Sequence, residues 1–338
     1  MIDAAYAHGG PPLHGTLRAR PEDFEVDEEL GFEPEGAGEH VLVRIEKRGA
    51  NTEWVARELA SALGLAPTAI GFSGLKDRHA LTRQTFSVHL PGKPDPDWST
   101  LAIEGVRVLE AARHPRKIKR GTHRRNAFRL RLTEVAGSRD DAARVLAAIA
   151  AHGVPNYFGE QRFGREGDNL RLAAALFKGA RLGRSQRAFA LSAARSWLFN
   201  RVLAQRVQAT TWDQALAGEV WMLAGTHSIF GPQVIDDTIT ARLAAGDIDP
   251  TGPMWGAGTL RSDEVVRELE LAVAEEQANL ARGLEAAGLS QERRSLRLRV
   301  SSLQSEWQAD DSLMLSFTLP AGSFATVVVR ELCATTDG

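Results

Sequence analysis

The sequence predicts an α+β fold in which a strand-rich part is interrupted by a mainly helical inserted domain. Three observations lead there. Near the N-terminus, Val41, Val43 and Ile45 alternate with other residues as a half-buried strand does, and residues 13 to 47 read as strands throughout. An alternating strand returns near the C-terminus in SLMLSFTL, while residues 168 to about 298 between these regions read mainly as helices. At 338 residues the chain also exceeds the usual size of one hydrophobic core, so two domains are expected. They are drawn as 1–151 plus 300–338, strand-rich, and 152–299, inserted and mainly helical.

Taken in order, LHGTLRA, DFEVDEEL and EHVLVRIEKRG are strands, and nine acidic residues with no basic one between Glu22 and Glu39 make a solvated rim. Asn51 and Thr52 cap a helix, WVARELASALG, that stops at Gly64, with Leu59 and Leu63 packing on the sheet. LTRQTFSVHL is a strand with Phe86, Val88 and Leu90 on one face, PGKPDPD a proline-broken loop and GVRVLEAA a further strand. AFRLRLTEV is the next strand, and DDAARVLAAIAAHG is a helix ending at Gly153. Three long segments then read as helices, NLRLAAALFKG, QRAFALSAARSWLFNRVLAQRVQA and DEVVRELELAVAEEQANLARGLEAAG, with WMLAGTHSIFG and VIDDTIT as short strands between them. The chain closes on a proline-glycine turn and a helix with Ser323 as its cap.

Composition narrows the function classes. Apolar and charged fractions of 43% and 25% are those of an ordinary soluble globule. The single cysteine, Cys333, excludes a disulfide framework, and the absence of a membrane-length apolar run or a signal-peptide pattern gives a cytoplasmic expectation. A net charge of −2 averages over opposite local fields. The strongest of these is RHPRKIKRGTHRRNAFRLR, with nine Lys or Arg and no acid between Arg113 and Arg131. Such a run is either a solvated face or a track for a phosphate backbone, and its concentration in a slightly acidic chain favours the track. Arg113, Arg116, Lys117, Lys119, Arg120, Arg124 and Arg125 are the candidate phosphate contacts.

The stretch with chemistry in it is GFSGLKDRHALTRQTFSVH, from Gly71 to His89. Gly71 and Gly74 allow a tight turn or a close approach. Asp77, flanked by Lys76 and Arg78, is expected to stay ionised, as a nucleophile or general base must. A solvated loop with a charge cluster is the competing explanation. His79 and His89 lack the partners and spacing of a metal site, so no metal or other cofactor is expected.

GFSGLKDRHALTRQTFS resembles the signature loop of the tRNA pseudouridine synthase D family. RPEDFEVDE at 20 to 28, GVPNYFGEQRFG at 153 to 164, LSAARSWLFN at 191 to 200 and LPAGSFATVVVREL at 319 to 332 follow in that family's order. The resemblance implies a pseudouridine synthase catalytic domain with a mixed or antiparallel sheet flanked by helices, and an insertion contributing to an RNA cleft. It makes Asp77 the catalytic nucleophile. Phe24, otherwise read as a core aromatic, and Phe324 become base contacts, Asn126 a hydrogen-bonding residue and Phe128 a packing residue. Arg18 stands where the family usually has Lys, Lys76 precedes the nucleophile, and both are counted as substrate-binding. Arg125 stands where the family generally has Gly. Tyr157, Phe158 and Phe163 beside Arg162 and Arg165 suit stacking and phosphate contact, or core packing equally well.

The implied activity is isomerisation of uridine to pseudouridine in tRNA, at position 13 of the D-arm, with no obligate protein partner. A non-catalytic protein binding structured RNA would explain the basic run and the aromatics as well, but leaves Asp77 without a role. A hydrolase of N-glycosidic bonds would want a second carboxylate in the Gly71 to His89 loop, and Asp77 is the only one there.

Overall fold

Alternation in the N-terminal part becomes strands β1 (Leu13–Leu17), β2 (Phe24–Glu29) and β3 (His40–Arg48) in a computed structural model that describes residues 4–337. Val41, Val43 and Ile45 face inward and are fully buried. Asn51 caps α1 (Thr52–Ala62) by accepting a hydrogen bond from the Trp54 N–H, so the helix starts where the sequence places its cap. Val55 and Leu59 on its inner face pack with Val41, Val43, Phe86 and Val88.

β4 (Ile70–Phe72) and β5 (Leu81–His89) flank the loop that carries Asp77. β6 (Val106–His114) and the 13-residue β7 (Arg125–Gly137) bracket the basic segment, and α2 (Arg139–His152) follows. Then come β8 (Val154–Pro155), α3 (Asp168–Phe177), α4 (Arg184–Gln208), β9 (Trp221–Leu223), β10 (Ile229–Phe230), α5 (Asp237–Ala245) and β11 (Ile248–Met254). The chain ends with α6 (Glu264–Glu276), α7 (Ala278–Ala286), β12 (Glu292–Ser295), β13 (Arg297–Leu298), β14 (Ser301–Trp307), β15 (Leu313–Pro320), α8 (Ala325–Leu332) and β16 (Cys333–Asp337).

Contacts divide the chain into one unit of residues 12–142, 300–325 and 333–337 and another of 4–11, 143–299 and 326–332. The first is built on one mixed sheet in the order β14-β15-β7-β2-β5-β3-β6, with β1 and β16 continuing from β7 and β4 lying on β5. Only β2 with β5 and β1 with β16 run parallel; the other pairs are antiparallel. β7 is long enough to pair with β15 on one edge and with β2 and then β1 on the other, which ties both ends of the chain to one strand. The second unit is mainly helical. Its core joins Ala173 of α3, Leu198 and Val202 of α4, Val273 of α6 and Leu284 of α7 around Trp255.

Three segments differ from the sequence expectation. VIDDTIT leads into α5 and is no strand: the Asp236 side chain accepts from the Ile239 N–H and overrides the β-branched residues that follow. The helix expected over 263–288 breaks at Gln277, whose backbone leaves helical angles while its side chain accepts from Trp197 Nε1. β11, with Pro250 and Pro253 inside it, has no strand signature, yet it pairs with β9 and β12.

Gly71 acts through close approach to protein backbone. A Cβ there would lie 2.4 Å from the Ile118 carbonyl oxygen and 2.6 Å from Ser87 Oγ, the hydroxyl that accepts the Ile118 N–H. Gly71→Ala is expected to destabilise this unit by about 1–3 kcal/mol, the range for overpacking a close contact. Denaturant unfolding of the purified variant measures it, and an unchanged midpoint would show that β4 shifts freely.

Candidate active site

The loop between β4 and β5 is held by side chains from the strands and helix beneath it. Gln84 Nε2 donates to the Gly74 carbonyl at 2.8 Å, and the Lys76 N–H donates to Thr52 Oγ1 at 2.9 Å. That hydroxyl donates onward to Gln84 Oε1 at 2.9 Å. Lys47 Nζ donates to the carbonyls of Ala50 at 2.6 Å and Asp77 at 3.0 Å. The bonds to the Gly74 carbonyl, the Lys76 N–H and the Asp77 carbonyl satisfy backbone groups of a loop that has no ladder of its own. The Asp77 carboxylate is left 43% exposed at the top.

The cation beside Asp77 is Arg18. Its Nη2 donates to Asp77 Oδ2 at 3.1 Å, and its guanidinium lies 4.2 Å from the centroid of the Phe24 ring. The sequence neighbours expected to flank the carboxylate are used elsewhere. Lys76 Nζ is buried against Glu28 Oε2 at 2.5 Å, and Arg78 Nε donates to the Gly49 carbonyl. Arg18 reaches Asp77 from the left-handed region, at φ 63°, where a residue with a Cβ is held at a cost of roughly 1–2 kcal/mol.

Two lines of side chains run from this loop. Through Arg18, Phe24 meets Phe128 edge-on at 6.3 Å, and Phe128 stacks on Phe317 at 5.5 Å. Phe24 and Phe128 are both buried, and Arg18 covers a face of the Phe24 ring. Through Lys76, Glu28 pairs across the sheet with Asn126, whose Nδ2 is 3.4 Å from His123 Nε2. Burial and the nearby Lys76 push the His123 imidazole below its ordinary pKa and so favour the neutral ring, against the opposite pull of Glu28. Asn126 Oδ1, His123 Nδ1 and Ser73 Oγ are buried without a hydrogen-bond partner among the described residues. Phe324 is half-buried just past β15, whose Pro320 pairs with Arg125 next to Asn126.

The basic segment is partitioned. Arg113 donates to the carbonyls of Gly38, Leu90 and Lys93 and pairs with Asp95 at 2.5 Å. Lys117 donates to the Thr68 carbonyl, Arg120 pairs with Glu53 over the Phe72 ring, and Arg125 pairs with Glu29 at 2.5 Å. Arg116, Lys119 and Arg124 are exposed with no side-chain partner among the described residues. Arg125 lies in β7 at negative φ, so no special backbone is required of it.

Tyr157, Phe158 and Phe163 are buried core residues of the helical unit. Among the described residues no group of His, Cys, Asp or Glu is arranged to hold a metal ion, and no helix is long and apolar enough to cross a membrane. Sequence reasoning does not single out Glu28, Lys47, Gln84 or His123, and it names Thr52 only as a helix cap. A signal was there for three of them: Glu28 follows Phe24 and Val26 on the inward face of β2, Lys47 follows Ile45 on β3, and Gln84 precedes Phe86 on β5. A charged or amide side chain at an inward position of an alternating strand must find a buried partner.

The family model described as tRNA pseudouridine synthase D (TruD) matches residues 3–181 and 174–332. The chain is 47% identical over 348 residues to the tRNA pseudouridine synthase D of Xanthomonas oryzae pv. oryzae, covering 98% of this chain and 94% of the relative. It is 49% identical over 330 residues to the protein of the same name from Aeromonas salmonicida, covering 97% and 93%. A solved structure of a tRNA pseudouridine synthase D from Methanosarcina mazei shares the fold at a TM-score of 0.76 and 22% identity, covering 97% of this chain and 95% of that one.

The buried Lys76–Glu28 pair yields a stability test. Glu28→Gln leaves an ammonium buried without its counter-charge and is expected to cost about 3–5 kcal/mol, whereas Glu28→Gln with Lys76→Met should recover most of that loss. Equal destabilisation of the single and double variants in denaturant unfolding would mean that the pair does not act as a unit.

Proposed function

The chain belongs to the tRNA pseudouridine synthase D (TruD) family, and on that premise we propose that it isomerises the uridine at position 13 of the tRNA D-arm to pseudouridine with Asp77 as nucleophile. The observation that carries the assignment is the Asp77 carboxylate itself, 43% exposed on a loop fixed from beneath, with Arg18 at 3.1 Å. The reaction breaks the bond from C1′ to N1, turns the freed base, forms a bond from C1′ to C5 and releases the C5 proton while N1 takes a proton up, so no atom is gained or lost overall. It is redox-neutral, and a carboxylate attacking the sugar or removing a proton from it supplies the chemistry.

Target uridine must leave its stack to reach Asp77, which costs a few kcal/mol. Arg18 offers a guanidinium plane backed by Phe24 and Phe128, a surface suited to a flipped base. Asn126 Oδ1, unbonded in the free protein, suits the N3–H of a uracil. Phosphate contacts fall to Arg116, Lys119 and Arg124. Arg113, Lys117, Arg120 and Arg125 can bind phosphate only in competition with bonds they already make. A tRNA substrate places the protein in the cytoplasm.

Asp77→Asn is expected to abolish tritium release from 5-labelled uridine in tRNA while filter binding stays within several-fold; substantial residual turnover would end the nucleophile assignment. Mapping pseudouridine in bulk tRNA from cells with and without the protein tests position 13, and unchanged maps with retained tRNA binding would favour a non-catalytic RNA-binding role. Arg18→Lys, which keeps the charge and loses the flat ring contact, should slow single turnover by roughly tenfold, about 1.4 kcal/mol of barrier. Arg18→Met should slow it further, and equal rates for the two would remove the charge from the argument. Arg116→Gln with Lys119→Gln should flatten the salt dependence of tRNA binding, whereas Arg113→Gln should lower stability and leave that slope alone.

A further inference from the structure

Val41, Val43 and Ile45 complete an apolar inward face on β3, and Lys47 is the next residue on it, 1% exposed. A methionine or leucine would continue that face without desolvating a charge. The ammonium instead donates to the Ala50 carbonyl at 2.6 Å and the Asp77 carbonyl at 3.0 Å. Its bonded partners are both neutral, so contact pairing does not offset the loss of water around it.

We propose that Lys47 is a positioning residue for the pseudouridine synthase reaction, clamping the Asp77 main chain and placing a positive potential behind the Asp77 carboxylate. The proposal rests on the reading of Asp77 as nucleophile. One ammonium bonded to both carbonyls joins the turn after β3 to the catalytic loop, so the height of Asp77 above the sheet is set by a bond from within the core. Asp77 is the acidic group whose charge favours the ionised form of Lys47. Lys76 of the same loop opposes it, though Lys76 is itself neutralised by Glu28. Across the strands Lys47 faces Thr82 of β5 and Val106 of β6, neither of them charged. Glu46 and Arg48 on its own strand bond elsewhere, Glu46 to Arg83 and Arg107 and Arg48 to Glu22. Arg18 lies on the carboxylate side of Asp77, so the two cations grip the residue from opposite ends, side chain and carbonyl.

Burial pulls the Lys47 pKa down to about 8. The ammonium is charged at neutral pH and loses its proton as the pH rises through about 8, removing a donor and the potential together. Single-turnover rates at saturating enzyme, measured from pH 5.5 to 9.5 on whole tRNA, test this with wild type, Lys47→Met and Lys47→Arg. Lys47→Met should lower the neutral rate by about tenfold or more, leave tRNA affinity within about twofold, and show no decline above pH 8, since it has no ammonium to lose. Lys47→Arg, charged throughout the range, should hold a neutral rate closer to wild type than Lys47→Met does and lose the decline above pH 8. A Lys47→Met variant with the wild-type rate and alkaline limb, or one whose loss lies wholly in tRNA affinity, overturns the proposal. If Lys47→Met does not melt cooperatively, Lys47→Arg decides: an alkaline limb coinciding with that of wild type also overturns it. Wild-type turnover on tRNA, measured first, tests the nucleophile reading separately; the variant-to-wild-type ratios test Lys47.

Discussion

Charge buried under the Asp77 loop is the constraint from which the local structure follows. Lys76 of the loop and Glu28 of the sheet are paired with almost no exposure, and Lys47 has only carbonyl partners. Uncompensated, such groups would be untenable in an interior of low polarity. What compensates them is the loop. Its Asp77 carbonyl receives Lys47, its Lys76 N–H finds Thr52, and its Gly74 carbonyl is met by Gln84, which also touches Glu28. The polar core therefore requires the loop in this conformation, and the loop requires the polar core. Asp77 inherits a fixed position from an arrangement in which its own carboxylate takes no part.

This explains which parts of the site can be read from the sequence. Strand alternation gives the inward faces of β2, β3 and β5 correctly, because one apolar face and period two are enough. The same alternation carries polar side chains inward at one end of each strand, Glu28, Lys47 and Gln84, and only the register, with Lys47 opposite Thr82 and Val26 opposite the same residue, brings those ends together. Register is a tertiary fact. Likewise Asp77 stands out by its loop and its resemblance, but its cation does not: Lys76 and Arg78 are neighbours in sequence, while Arg18 is 59 residues away and becomes a neighbour through the sheet. In the helical unit the failures were local. A single Asp236 cap outweighs a β-branched run, and a break at Gln277 is invisible to helical periodicity that continues on both sides of it.

The basic segment shows that composition locates a field without assigning its charges. Nine cations between Arg113 and Arg131 are one block in sequence, but the segment must also be held to the sheet. Three carbonyls take Arg113, Thr68 takes Lys117, and Gly71 lets the Ile118 carbonyl approach closely. Cations spent on backbone carbonyls still contribute to the field but have fixed donors, so they steer a polyanion without gripping it. Arg116, Lys119 and Arg124, exposed and without a side-chain partner among the described residues, are different, since a phosphate would displace only water from them.

Arg18 gathers these points at the site. Ending β1 with an arginine at φ 63° is unfavourable by itself, and the surrounding contacts hold it there: the Phe24 ring below and the Asp77 carboxylate ahead. A lysine would carry the same charge, but it has no plane to lie on Phe24 and one point of charge where Arg has a fork. An arginine here is therefore matched to the Phe24 ring it lies on, which meets Phe128 edge-on, and Phe128 in turn stacks on Phe317. In this chain the flat cation lies between the buried aromatic rings and the exposed carboxylate, and Asp77 is held by Lys47 at its carbonyl and by Arg18 at its side chain.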